Sequence, residues 1–334
     1  MRPRLALVVL ALLVLAAIPL SLTVGAASLS VHDVLGALAG EGPTWMRTVV
    51  VELRLPRVLV AALAGGALSV AGVAVQGLFR NPLADPGIVG VSGGATLGAV
   101  VALYATTTMP LVMVPASAFA GGLACTALVY RLATAHGEAR TTSLLLAGVA
   151  ISGLSSALAS LVLSVSLADW ELGRQILSWM MGGLEGRTFE HVAIVLPPAL
   201  LVPLALSAFA RDLDALALGE ETALSIGTDV RRVRVAVITL AALATAASVS
   251  VMGTVGFLGL VAPHVARRLV GPAHRLTIPA SMLLGALLLV LADTLSRAVS
   301  TRVDLRPGVL TALVGGPFFL WLLMRERALS EAPR

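Results

Sequence analysis

Residues 54–87, RLPRVLVAALAGGALSVAGVAVQGLFRNPLADPG, constrain the chain more than any other stretch. Arg54 and Arg57 bracket Pro56, and no further charge appears until Arg80. A helix needs about 20 predominantly apolar residues to cross a bilayer, and this run is long enough. Gly65, Gly66, Ser69, Gly72 and Gly77 strip bulk from it, which lets neighbouring helix backbones approach closely. The run ends in Asn81-Pro82-Leu83-Ala84-Asp85-Pro86-Gly87, where two prolines remove backbone donors and force a break.

The rest of the chain has the same character. Its mean hydropathy is +0.97 and only 12% of its 334 residues are charged. A soluble domain carries about 25% charged residues, so the composition points to an all-α polytopic membrane protein. Ten apolar segments lie near 5–25, 57–79, 88–106, 111–131, 142–165, 191–210, 233–251, 255–267, 276–296 and 308–324. The third and eighth are short and glycine-rich, as half-helices would be. No tandem repeat or low-complexity linker divides the chain, so residues 1–334 are expected to form one transmembrane domain.

The start, MRPRLALVVLALLVLAAIPLSLTVGAAS, resembles a secretory signal, but its apolar run exceeds the roughly 7–15 residues of a signal core. It is expected to be an uncleaved first span with a cytoplasmic N-terminus. An even number of spans returns the C-terminus, with Arg325, Arg327 and Arg334, to the cytoplasm. Of the 23 basic residues, all arginine, this orientation leaves Arg47, Arg54, Arg57, Arg174, Arg187, Arg297, Arg302 and Arg306 outside. The majority lie inside, as the positive-inside rule requires. The same distribution argues against nucleic acid as the partner of a chain with pI near 10.8, since the arginines sit at span ends rather than in a stripe.

Two loops stand out. Residues 166–190 carry Trp170 and Trp179 and are expected to form an amphipathic helix at the outer interface. Residues 211–232, RDLDALALGEETALSIGTDVRR, fall inside and read as two short helices around Gly219-Glu220-Glu221-Thr222.

Enzymatic chemistry has little support. There is no G-x-x-x-x-G-K-[ST] phosphate loop. The five histidines show no metal-ligand spacing, and the single cysteine, Cys125, is expected to pack rather than react. Asp293 is the one acid within the expected spans, and pairing with Arg297 at i, i+4 accounts for it. A secondary transporter driven by an ion gradient, the competing class, would call for intramembrane acids or an inverted repeat. Gly148, Ser152, Ser156, Ser160 and Ser164 recur every four residues on one helix face. Their spacing suits close helix packing and a pathway wall equally.

The stretch 54–87 resembles the second membrane helix of FecCD-type permeases, which import iron chelates, haem and vitamin B12 with ABC ATPases. The match RLPR…G…Q…NPLADPG…G is nearly unbroken. Thr142–Gly148 (TSLLLAG), 256–271 (GFLGLVAPHVARRLVG), 291–297 (LADTLSR) and 308–323 (GVLTALVGGPFFLWLL) are similar to the family's fifth, eighth, ninth and tenth helix regions. Trp179-Met180-Met181-Gly182-Gly183 is similar to the vitamin B12 branch. One departure is Asp304-Leu305-Arg306-Pro307-Gly308, where the family has acid-Leu-Pro-Val-Gly.

The resemblance implies a type II ABC importer permease of about ten helices. Two copies, as a homodimer, would enclose a central path in the bacterial cytoplasmic (inner) membrane. Separate ATPase subunits would bind ATP and Mg, so this chain would hold no cofactor and catalyse nothing. A periplasmic or extracellular binding protein would deliver a metal chelate: a ferric siderophore first, with haem or cobalamin as alternatives. It implies docking of the binding protein's acids on Arg54, Arg57 and Arg297. It places Asn81, Leu83 and Thr141 at the inner gate, and Ser152, Ser156 and Ser160 along the path. It assigns ATPase coupling to Leu216, Leu218, Gly219, Glu220, Glu221, Ala223, Ile226 and Gly227.

Overall fold

The computed structural model describes residues 3–105, 112–135, 141–299 and 305–330, and no strand occurs among them. α1 (Pro3–Thr23) is followed by the short α2 (Val31–Leu38), opened by a capping box in which Ser30 and Asp33 satisfy each other's backbone donors. α3 (Thr44–Arg47), a π-helical stretch (Thr48–Arg54) and α4 (Leu55–Phe79) form one continuous 36-residue rod. A 3-10 turn (Pro86–Val89) leads into α5 (Val91–Ala105), followed by α6 (Met113–Thr134) and α7 (Thr141–Ser166). Then come α8 (Trp170–Met180), α9 (Phe189–Ala208), α10 (Ala210–Leu218), α11 (Glu220–Ser225) and α12 (Val230–Met252). α13 (Leu258–Val270), α14 (His274–Val299) and α15 (Pro307–Ser330) complete the described chain.

A helix covers each of the ten expected apolar segments, but among the described residues only seven helices are long and apolar enough to cross a membrane. α5 and α13, with 15 and 13 residues, are the short glycine-rich pair. α13 starts three residues later than its apolar run because Gly253 and Phe257 turn the chain at φ +72° and +66°.

α4 is the central post. It is buried along nearly its whole length and packs against α9, α12, α13 and α14. Between membrane helices, close backbone packing replaces the hydrophobic drive that water provides elsewhere. A Cβ on Gly65 would lie 2.5 Å from the carbonyl oxygen of Gly285, and one on Gly72 would collide with the carbonyl of Gly259. Gly94 and Gly98 play the same part between α5 and α6, against the carbonyls of Gly121 and Ser117. α7 differs: only Leu144, Gly148, Ser155, Ala159 and Ser166 are buried, and its other residues are half-buried or exposed. α8 is amphipathic as expected, with Trp179 buried and Trp170 exposed.

Candidate functional site

The direction of α4 and α14 separates the functional residues into two ends. Arg57 opens α4 and Arg297 closes α14, so both lie at the end that the charge asymmetry assigns to the outside. Gly77 and His274 mark the opposite end.

At the Arg57 end the arginines expected on the rim are already engaged. Arg54 is 7% exposed; its NH1 donates to the carbonyl of Leu22 at 2.7 Å and its NH2 to that of Ala27 at 2.5 Å. It is thus turned inward, fastening the end of α1 to the start of α4, rather than standing free at the surface. Arg57 donates through Nε to Asp293 Oδ1 at 2.8 Å, and Arg297 through Nε to Asp293 Oδ2 at 3.0 Å. The expected Asp293–Arg297 pair is therefore present, with Arg57 as a second partner. Arg297 also reaches the carbonyls of Ser21 and Val24 and the Ser21 hydroxyl.

Beside this cluster is a cavity of about 650 Å³ lined by Glu52, Arg54, Arg57, Glu185, Arg187 and Arg297, among others. Arg306, at the site of the sequence departure, is buried and pairs with Glu185 at 3.0 Å. Arg187 lies in the loop before α9. Burial, then the nearby Arg306 and Arg57, pull its pKa down to about 10, partly offset by Glu185. It remains a cation at neutral pH.

At the Gly77 end, α4 finishes with Arg80 in the left-handed conformation (φ +49°). Asn81 Oδ1 then accepts the N–H of Leu83 at 2.9 Å, and Asp85 Oδ1 accepts that of Gly87 at 2.8 Å. These side-chain-to-backbone bonds make the NPLADPG segment a fixed double turn. Asn81, Leu83 and Thr141, the first residue of α7, are all half-buried. The serine ridge divides along its length. Gly148 meets the carbonyl of Ile88 and Ser152 packs on Gly93, so this part is helix contact. Ser156, Ser160 and Ser164 are exposed.

The 211–232 loop forms the two expected helices, α10 and α11, broken at Gly219, whose φ of +127° favours glycine. Gly227 ends α11 at φ +88°. The apolar side chains split into two sets. Leu213, Leu216 and Ala223 are buried in the main core, whereas Leu218, Leu224 and Ile226 are 74%, 57% and 64% exposed. Leu216 and Ala223, expected among the coupling residues, thus seat the element rather than face outward. Glu220 is held by Arg234 at 3.0 Å, while Glu221 is exposed.

Three polar ties are not legible in the sequence. There Arg187 and Arg306 are two of the eight outer arginines, Gln76 is one letter of a motif, and Asp214 is one residue of the 211–232 loop. Gln76 Nε2 donates to the Gly259 carbonyl at 3.2 Å, and Arg267 donates to its Oε1. Asp214 bonds to His274. The only advance signal was polarity at a span end, which many unremarkable residues share.

Long apolar helices packed around the buried α4 define a polytopic membrane protein. Comparisons with known proteins agree. The model of the FecCD transport family matches residues 12–325, and the chain belongs to that family. It is 42% identical to the cobalamin import permease BtuC of Halobacterium salinarum, over 85% of this chain and 75% of that protein. It is 44% identical to the Fe(3+) dicitrate permease FecD of Escherichia coli, over 84% of this chain and 86% of that protein. The solved inward-facing structure of a metal-chelate type ABC transporter superposes with a TM-score of 0.85 at 32% identity, covering 96% of this chain and 98% of that one.

Proposed function

We propose that this permease imports a metal chelate, a ferric siderophore first with haem or cobalamin as alternatives, as a homodimer in the cytoplasmic membrane with both termini inside. The whole chain acts as one transmembrane domain. A separate ATPase binds ATP and Mg and does the only catalysis; a binding protein delivers the chelate at the Arg57 end. The observation that carries this reading is the α10–α11 element. Three large apolar side chains, Leu218, Leu224 and Ile226, project from a short helical pair whose other face is anchored in the core. Charged neighbours Glu220 and Glu221 mark this surface as lying in water rather than lipid, and a short apolar helix face in water suits a groove on a soluble partner.

Cobalamin is the second reading. It is favoured by the 42% identity to a cobalamin permease and by the Trp179–Gly183 segment. Purifying the cognate binding protein and identifying its bound ligand, then following that ligand into vesicles with radioactive label, tests both. Uptake of none of a ferric siderophore, haem or cobalamin, with all partners present and ATP being hydrolysed, would reject the assignment.

A further inference from the structure

α10 is attached to the bundle in two ways that differ physically. Leu213 and Leu216 sit in the apolar core beside the end of α4, and such burial is non-directional. Asp214, on the same helix, is directional. Its Oδ1 accepts the backbone N–H of His274 at 3.0 Å and lies 2.6 Å from His274 Nδ1. His274 is the first residue of α14, so Asp214 satisfies one of the orphan N–H groups of that helix from a different element.

The far edge of the imidazole is fixed too. His274 is 6% exposed, and a Cβ on Gly77 of α4 would lie 2.5 Å from its Nε2. The imidazole therefore fills the space that a side chain at 77 would need, so movement of either towards the other is blocked. Gln76, the neighbour of Gly77, is tied to α13 through the Gly259 carbonyl and Arg267. Three residues beyond Gly77 the double turn begins at Arg80. It runs to the Pro86–Val89 turn, where the Ile88 carbonyl rests on Gly148 at the foot of the serine ridge.

We propose that Asp214 and His274 are positioning residues that carry displacement of α10–α11 through Gly77 into the 80–89 turn and on to α7. This rests on α10–α11 being the contact with the ATPase. Close-packed interiors have low compressibility and transmit strain, and a charge-assisted hydrogen bond supplies the direction that apolar contact lacks. Continuity in space is not coupling in itself, so the test reads coupling.

The test uses the full transporter with its ATPase in vesicles. Cys125 is replaced by alanine and Ser156 by cysteine, and the labelling rate by a membrane-impermeant maleimide is compared between nucleotide-free and ATP-bound states. Asp214→Ala and His274→Ala are each expected to keep the ATPase bound and hydrolysing. Each should shrink the ratio of the two labelling rates by about twofold to thirtyfold, the span of mutational effects on coupling. The double variant should be no worse than the worse single, since both cut one link. Asp214→Asn keeps an acceptor oxygen for the His274 N–H but loses the charge, so it should recover part of the ratio, which a loss of folding would not allow. If an alanine variant fails to assemble, Gly77→Ala decides, because it displaces the imidazole without removing either Asp214 or His274, and it should shrink the ratio likewise. An unchanged ratio in the variants that assemble, a double variant that multiplies the single effects, or no state-dependent labelling before mutation would each overturn the proposal. Leu218→Asp in the same vesicles reads the ATPase contact alone. A fully retained ATPase there would sink the coupling-loop reading independently of what Asp214 does.

Discussion

Arg57 and Asp293 are 236 positions apart in the chain and meet at 2.8 Å, Nε to Oδ1, while Arg297 takes the other carboxylate oxygen. One fully buried acid thus holds two cations and ties α4 to α14 at the Arg57 end. Removing the acid leaves two arginines uncompensated. Asp293→Ala is expected to lower stability by about 3–5 kcal/mol, read as thermal unfolding in detergent. Asp293→Asn, which still accepts a hydrogen bond, should cost less.

The same pairing shapes the docking test. Arg57→Glu would set a second carboxylate against Asp293, so Arg57→Gln is the cleaner change. It should slow binding-protein association by about threefold to tenfold and flatten its salt dependence, because rim charges act mainly on approach. An association rate that ignores both the substitution and ionic strength would leave Arg57 with a purely structural part.

Exposure within α10–α11 predicts opposite outcomes for neighbouring leucines. Leu218→Asp should leave the permease folded and cut substrate-stimulated ATP hydrolysis by about thirtyfold, the effect of losing a ~2 kcal/mol contact hot spot. Leu216→Asp, two residues earlier, puts an unpaired charge into the core and should destabilise by about 4 kcal/mol or more. Size-exclusion and hydrolysis measured on both variants separate the two cases.

Cysteine scanning should divide the serine ridge at the same place as the structure. In a Cys125→Ala background, Ser156→Cys and Ser160→Cys are expected to react readily with an impermeant maleimide, and Ser152→Cys, packed on Gly93, slowly. Equal rates at all three positions would remove the distinction between contact and open wall.

Gly72→Ala tests the packing of α4. The added methyl meets the backbone carbonyl of Gly259, which cannot rotate away, and overpacking of this kind costs about 1–3 kcal/mol. Gly36→Ala, in α2 with its nearest neighbour at 4.0 Å, should not lower the unfolding temperature.

The seven long apolar helices, the short α5 and α13, and the α10–α11 pair broken at Gly219 were legible in the sequence. Hydropathy, glycine and proline act on the backbone locally, within a turn or two of where they stand. The local pair Asp293–Arg297 was legible for the same reason, since four residues of helix bring the two side chains together. Partners far apart in the chain were not. That Arg54 turns in to the carbonyls of Leu22 and Ala27, that Arg57 shares Asp293, and that Asp214 caps α14 at His274 depend on which helices lie side by side. The same holds for which apolar residues of α10–α11 face the core. Amphipathic spacing marks a helix face, but only the neighbouring helix decides whether Leu216 or Leu218 is covered. A polar side chain at a span end can reach solvent, lipid headgroup or another helix with equal local logic, and the tertiary packing selects among them.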